Sequence, residues 1–458
     1  MNKTKCLNNK NNKDTNKNIK YNINNKHNIN INNRCDKNRY ENDNYIIHGG
    51  KRLNGRVKVQ TSKNATLPIL AASIMCDGEV QINNYPHITD LENMLNILRG
   101  IGVQINQTET TLTLNSQSAN NLHMNFDLMK TMRSSIFLLG SLLARSKTAT
   151  ITQPGGCKIG ARPIDIHLKS LKQMGVKICE VGDLIFFDAS QSHSANIKLS
   201  FASVGATENI VQFACLTKGK TVITNAAQEP EIVDLCCFLN KMGARISGVG
   251  TSKITIQGVD CLKSTQYTPI SDRVVAGTYM VAVAICGGKV TLTNVEPSQN
   301  TKLIEKLKQI GCQIKTENDI ITISSEGVQT TFETLSTGTY PNFATDLQSQ
   351  MLVLACFAKG STQIFETVFE NRFLIVPELQ KMGAIINIIN NKQVSIYGKG
   401  KLHCAKLQAQ DLRGGAALVL AALGAKGVSS VDNIHFILRG YENFEQTLSS
   451  LGADIKRK

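Results

Sequence analysis

The sequence contains no tryptophan, and aromatic residues make up only 5% of it, so the stacking platforms that hold single-stranded nucleic acid are poorly supplied. No apolar run approaches the roughly 18 residues needed to cross a bilayer, which excludes a helical membrane protein. There are thirteen cysteines, an odd count with no CxxC pair and no regular spacing, which reads as reduced thiols and not as a disulfide scaffold. No GxxxxGK[ST], HExxH or zinc-spaced Cys/His cluster occurs; the GKT at Gly219–Thr221 lacks its upstream glycine. Phosphate-loop hydrolysis and metal catalysis are therefore unsupported, and neither a metal nor an organic cofactor is expected. The first 45 residues hold no Ser, Ala or Gly, and they lack the apolar core and cleavage site of a signal peptide. Seventeen of them are Asn and eight are Lys, a low-complexity composition that cannot bury enough apolar surface to order itself, so disorder is expected through residue 44.

What remains is ample for a folded protein. The chain has 458 residues, 41% of them hydrophobic, enough for two or more domains with sizeable cores. The formal charge of +16 is partly in the tail, where ten Lys/Arg face four Asp/Glu; the body still leans basic, which favours anionic small-molecule partners. From Tyr45 onward a pattern recurs six times: an apolar helical stretch, a glycine, then a short apolar strand, as in LNILRGIGVQI from Leu95 and LKQMGVKI from Leu171. The glycines are Gly102, Gly175, Gly243, Gly311, Gly383 and Gly452, spaced by 73, 68, 68, 72 and 69 residues. A glycine just past a helical apolar run is the usual left-handed cap. Upstream of these copies lies a second shared element, a small-residue-rich helix followed by a β-branched strand, seen in AVAICGGKVTLTNVE. The expected fold class is α/β: six units of about 70 residues closing two lobes of three units each, with helices packed inside.

Loops on a repeated scaffold are where chemistry is expected. In PGGCKIGARPIDIH, Pro154 to His167, glycines flank Cys157 while Lys158 and Arg162 sit close by. Those neighbours suit a thiolate or a bound anion and are wrong for a core, so a functional thiol is favoured over an ordinary buried one. In VQTSKNATLPILAA, Thr61 or Ser62 can cap a helix whose first turn carries Lys63 and Asn64. That turn suits a phosphate or carboxylate, with a solvated lysine as the alternative. Arg133, Arg372, Arg413 and Arg439 lie beside apolar helices or in loops after strands. Each alone reads as a surface ion-pair partner, whereas together with Arg162 they could clamp a small dianion or trianion. Carboxylates are scarce in these loops. Asp346, in NFATDLQSQ, is either a helix cap or an acceptor for a substrate hydroxyl.

Taken in order, SKNATLPILAA, MRSSIFLLGSLLAR, PGGCKIGARPIDIH, SVGATEN, EPEIVDL, TDLQSQ, ETVFENRF, DLRGGAALVLA and LRGYE resemble the UDP-N-acetylglucosamine 1-carboxyvinyltransferase family within the EPSP synthase superfamily. The resemblance extends from about Tyr45 to the C-terminus. It implies a two-lobed inside-out α/β barrel, with residues 45–62 and 272–458 in a first lobe and 63–271 in a second. It also implies transfer of the enolpyruvyl group of phosphoenolpyruvate to the 3-hydroxyl of UDP-N-acetylglucosamine, without metal, in the first committed step of peptidoglycan precursor synthesis. By resemblance, Cys157 is the proton donor and the residue that fosfomycin would alkylate, and Asp346 is the hydroxyl base. Lys63, Asn64, Arg162, Arg372, Arg413 and Arg439 bind phosphoenolpyruvate, with Lys63 and Arg439 also counted as catalytic. Arg133, Arg162, Pro163, Ile164, Asp165, Ile166, Ser203, Val204, Gly205, Asp346 and Val368 contact the nucleotide sugar.

Two positions depart from the family pattern. Phe201 stands where some members have a lysine before the Ser-Val-Gly turn, and Phe137 where some have tryptophan. The shikimate-pathway synthase shares fold and donor but has no such cysteine loop, so the loop favours a nucleotide-sugar acceptor. A basic repeat protein that binds nucleic acid is the rival from a different class, and the low aromatic content argues against it. The expected setting is the bacterial cytoplasm, as a monomer or weak homo-oligomer, with no nucleic-acid or membrane partner.

Overall fold

The computed structural model describes residues 43–119, 136–152, 160 and 163–458. The Asn/Lys-rich tail expected to be disordered, together with Arg133, Cys157, Lys158 and Arg162, lies outside the described residues, apart from the tail's last two positions. The first strand, Tyr45–Gly49, starts where the sequence pattern changes. It pairs antiparallel with both Gly427–Asp432 and Asp454–Arg457, so the two ends of the folded chain share a sheet.

Among the described residues there are six sheets, and five follow one plan. A central strand runs parallel to a short edge strand on one side and antiparallel, on the other, to a strand that itself has an antiparallel neighbour. Lys220–Thr224, for example, lies parallel to Asn196–Lys198 and antiparallel to Lys253–Gln257, which in turn pairs with Arg245–Ser247. Among the described residues the sixth sheet, built on Thr148–Thr152, has only the antiparallel side. All six glycines of the recurring pattern fall in the left-handed region, at φ between 81° and 102°. Each ends a helix and opens a strand, which L-residues with a Cβ do poorly.

Arg273–Cys286, Gln348–Phe357 and Leu412–Gly424 pack against one another, and all ten residues of Gln348–Phe357 are buried. Helices this apolar on every face must be enclosed. Apolar packing divides into two clusters. One gathers side chains from Tyr45 to Val59 and from Val274 to Ile455; the other gathers side chains from Leu67 to Leu262. The chain passes between them at two points that lie side by side. Thr61 and Ser271 form an antiparallel bridge, the Ser62 amide donates to the Ile270 carbonyl (2.8 Å), and the Asp272 amide donates to the Gln60 carbonyl (2.9 Å). Among the described residues no helix is long and apolar enough to cross a membrane.

Candidate functional site

The site grows from this double crossing. Ser62, in extended backbone, caps the helix Lys63–Ser73 by accepting a hydrogen bond from the Ala65 amide (3.3 Å). Thr61, the other candidate cap, instead donates its hydroxyl to the Asn84 carbonyl. The Lys63 side chain is 12% exposed, so the solvated-lysine alternative fails; Nζ lies 2.7 Å from Asp90 Oδ2. Asp90 stands in the first turn of the helix Thr89–Gly100, where the helix dipole favours an anion. Arg439, at the end of the 3₁₀ turn Ile434–Arg439, grips the same carboxylate with both arms, Nε to Oδ1 at 2.8 Å and Nη2 to Oδ2 at 3.2 Å. Burial by itself would raise the Asp90 carboxyl, but Lys63 and then Arg439 outweigh it, and the group sits below its ordinary range. Burial lowers Lys63, Asp90 opposes that, and Arg439 and Arg413 push it further down. Asn64 follows on the same turn, half-buried.

A second carboxylate organises two more arginines. Asp346 lies in the 3₁₀ turn Thr345–Leu347, ahead of the helix Gln348–Phe357, and caps nothing. Its Oδ1 accepts a short hydrogen bond from Arg372 Nη2, and its Oδ2 accepts from Arg413 Nε (3.2 Å) and Nη2 (3.1 Å). Both guanidinium side chains are buried, so these are not the surface ion pairs that each arginine alone would suggest. Arg413 sits in a helix capped by Asp411, with its guanidinium over the Tyr441 ring at 5.5 Å. Burial would lower the Arg413 group, but Asp346 and then Tyr441 and Asp272 raise it above its ordinary value, leaving it permanently charged. Its Nη1 is buried without a hydrogen-bond partner among the described residues. Such a donor is costly to leave empty, and it suits an anionic oxygen. Arg372 also donates Nε to Thr345 Oγ1 (3.3 Å), and Thr345 in turn donates to Glu366 (2.9 Å). Glu366 accepts from the Val368 and Phe369 amides at 2.9 and 3.1 Å, which fixes the loop bearing Val368.

Two of the remaining candidate segments lie against each other. Ser203 caps the helix Val204–Cys215. A Cβ on Gly205 would meet the His167 ring at 3.2 Å and Phe137 at 3.6 Å, so the Ser203–Gly205 turn lies against the helix Asp165–Gln173, which begins within the Pro163–Ile166 segment. Phe201 is exposed to 44%. Gly160 abuts the loop of Arg372: a Cβ there would come within 2.3 Å of Glu370 Oε2. The far end of the Cys157 segment is thereby brought beside the two-arginine cluster, while Cys157, Lys158, Arg133 and Arg162 lie outside the described residues.

Two carboxylates outside those loops also face the cations: Asp90, and Asp272, whose Oδ2 accepts from the Lys63 amide (3.2 Å) and whose Oδ1 caps the helix Arg273–Cys286. Nearby, Glu231 pairs with Arg273 at 3.0 Å, and Glu229 accepts from the Tyr340 amide (3.3 Å). The fully buried Glu208 is driven well above its ordinary range by burial and then by Glu231 and Glu229. EPEIVDL displays two of these acids, but only the fold shows that they face Arg273. Among the described residues no group of His, Cys, Asp and Glu is arranged to hold a metal.

Comparison with known proteins gives a consistent result. The profile of the family described as EPSP synthase (3-phosphoshikimate 1-carboxyvinyltransferase) matches residues 47–448. UDP-N-acetylglucosamine 1-carboxyvinyltransferase 2 of Caldanaerobacter subterraneus subsp. tengcongensis is 46% identical over 413 residues, covering 90% of this chain and 99% of that protein. The UDP-N-acetylglucosamine 1-carboxyvinyltransferase of Ruthia magnifica is 45% identical over 413 residues, covering 90% of this chain and 98% of its own. Among solved structures, the enolpyruvyl transferase NikO from Streptomyces tendae superposes with a TM-score of 0.81 at 23% identity, over 91% of this chain and 99% of that one. An EPSP synthase from Acinetobacter baumannii gives 0.69 at 18% identity, over 91% and 100%. At these identities the two structures speak for the fold alone.

Proposed function

Because the chain belongs to the EPSP synthase family, we propose that it is a UDP-N-acetylglucosamine 1-carboxyvinyltransferase. It moves the enolpyruvyl group of phosphoenolpyruvate onto the sugar 3-hydroxyl, releases phosphate, and so opens peptidoglycan precursor synthesis. The identity of its relatives supports this acceptor. The six sheets and two apolar clusters are read as two lobes of three units with helices turned inward, residues 45–62 and 272–458 forming one and 63–271 the other. The reaction runs in the bacterial cytoplasm, on a monomer or weak homo-oligomer.

The observation that carries the reading is a pair of adjacent cation clusters. Lys63 and Arg439 are held on Asp90, and Arg372 and Arg413 on Asp346, with Lys63 close enough to feel Arg413. A phosphate and a carboxylate on one three-carbon substrate match two such clusters. In the addition step the sugar oxygen bonds to the central carbon of phosphoenolpyruvate, its proton leaves, and the methylene carbon takes up a proton. In the elimination step a proton leaves the new methyl group as the carbon–phosphate oxygen bond breaks. Cys157 is the acid at the methylene carbon. Asp346 takes the hydroxyl proton, which requires at least one of its oxygens to exchange an arginine for the sugar, and the incoming substrate anion supplies the exchange. Asp346 and Val368 orient the sugar, and Asn64 joins Lys63 on phosphoenolpyruvate; Ser203–Gly205, Pro163–Ile166, Arg133 and Arg162 hold the nucleotide sugar.

A phosphate-release assay with phosphoenolpyruvate, offering UDP-N-acetylglucosamine and shikimate 3-phosphate separately, tests the reading. Turnover is expected with the nucleotide sugar alone, and fosfomycin is expected to inactivate by alkylating Cys157, with Cys157→Ser resistant to labelling. Turnover with shikimate 3-phosphate and none with the nucleotide sugar would refute the acceptor.

A further inference from the structure

We propose that Asp90 is a positioning residue of the anion site: it keeps the Lys63 ammonium charged and aimed, and it fixes the guanidinium fork of Arg439, without itself touching the reacting atoms. The kinetic part of this inference rests on the enolpyruvyl-transfer reading; the electrostatic part does not.

Asp90 is 2% exposed, and both its oxygens are committed to the two cations. An isolated carboxylate in that position would be strongly unfavourable, so the charge is retained through its partners. Of those partners, the Arg439 side chain is 35% exposed and the Lys63 side chain 12%. The carboxylate is thus the most deeply buried member of the trio, and the cations it holds retain the solvent contact. Asp90 also joins the two apolar clusters, because its own helix packs in one and the Ile434–Arg439 turn packs in the other.

The charged groups facing Lys63 can be named element by element. The helix Thr89–Gly100 contributes Asp90, the Ile434–Arg439 turn contributes Arg439, and the helix Leu412–Gly424 contributes Arg413. Asp272, at the start of Arg273–Cys286, is occupied by the Lys63 backbone amide and two of its own helix. Among these groups Asp90 is the carboxylate bonded to the ammonium. Without it, a buried ammonium faces two guanidiniums, and loss of its proton becomes the favoured response.

The test uses the full chain. Lys63 is modified with pyridoxal 5′-phosphate and borohydride across pH and located by mass spectrometry. In Asp90→Asn the labelling midpoint is expected to fall by about 1–3 pH units, the usual effect of removing an adjacent opposite charge. Asp90→Glu, which keeps the charge, should restore most of the shift. Arg439→Gln, which removes a neighbouring cation, should move the midpoint the opposite way and keeps the question decidable if Asp90→Asn does not fold. In phosphate release, Asp90→Asn should lower kcat/KM for phosphoenolpyruvate at least about tenfold, move its alkaline limb down with the labelling midpoint, and leave the nucleotide-sugar KM within about twofold. An unshifted labelling midpoint in folded Asp90→Asn, or a fall in the Arg439→Gln midpoint, overturns the proposal. If the wild type releases no phosphate from either acceptor, the functional reading fails while the labelling arm still decides the role of Asp90.

Discussion

Gly140→Ala offers a sharp test of how the Ser203–Gly205 turn, proposed to bind the nucleotide sugar, is held. Gly140 lies in the helix Leu138–Ser146, where its face meets the backbone of the helix Val204–Cys215. A Cβ there would sit 2.4 Å from the Asn209 carbonyl oxygen, 2.9 Å from its Cα and 3.0 Å from its carbonyl carbon, all backbone atoms that cannot rotate away. Relief requires the two helices to part by about 1 Å. They are pinned by the Gly140 amide donating to Asn209 Oδ1 at 2.6 Å and by the Ser141 hydroxyl donating to Gln212 Oε1. Weakening these two buried hydrogen bonds costs about 1 kcal/mol each, and overpacking adds about 1–3 kcal/mol. The expected loss is about 3–5 kcal/mol, or about 6–20 °C in melting temperature for a unit of this size. Asn209 also donates Nδ2 to the Gly205 carbonyl (3.2 Å) and contacts His167 Nδ1 (3.0 Å), so the strain reaches the Ser203–Gly205 turn. Differential scanning calorimetry and steady-state kinetics should therefore show a lower melting point and a severalfold higher KM for UDP-N-acetylglucosamine, with the KM for phosphoenolpyruvate little changed. A melting point within about 1 °C of wild type would refute the reasoning, because the clash would then be absorbed without cost.

Two further perturbations follow from the charge clusters. Arg413→Met should destabilise the fold by about 3 kcal/mol, at the lower end for breaking a buried pair because Asp346 is 26% exposed; Asp346→Asn in the same background should cost less than it does alone, and additivity in urea denaturation would show that the pair is not coupled. Glu208 has its pKa raised by burial and then by Glu231 and Glu229, and its Oε2 is buried without a hydrogen-bond partner among the described residues. The native state therefore keeps a proton that the unfolded chain releases above about pH 4.5, and stability declines as pH rises from there toward the native pKa. Glu208→Gln removes that decline, so its stability relative to wild type should improve between pH 4.5 and pH 8. Denaturation midpoints that track wild type across this range would refute it.

Local chemistry was readable wherever sequence neighbours decide the outcome. Ser62 caps the helix that carries Lys63, and all six glycines take the left-handed backbone that a residue without a Cβ adopts at little cost. Asp346, Arg372 and Arg413, 26 and 67 residues removed from the aspartate, were picked as separate candidates, and the fold brings them into one cluster. Partners defined by long-range packing were not readable. Asp90 stands in TDLENM, an ordinary helix start, and nothing local marks it as the counter-ion of Arg439, which is 349 residues away. The same holds for Glu208, whose alanine- and valine-rich helix gives no sign of the two acids facing it from another. Asp346 illustrates the reverse case: its place before a helix suggested a cap, yet two guanidiniums took both oxygens.

The double crossing at Thr61 and Ser271 sets how the halves can move. Two hydrogen-bonded strands make a ribbon that bends readily across its flat face but resists shearing in its plane, because shear breaks the rungs Ser62–Ile270 and Asp272–Gln60. At this joint, bending is therefore easier than shear. Lys63 is the next residue after the ribbon, and its amide is tied to Asp272 on the opposite strand, so any flexing of the joint displaces the ammonium directly, and an anion drawn to that ammonium feels the hinge angle as part of its own binding energy.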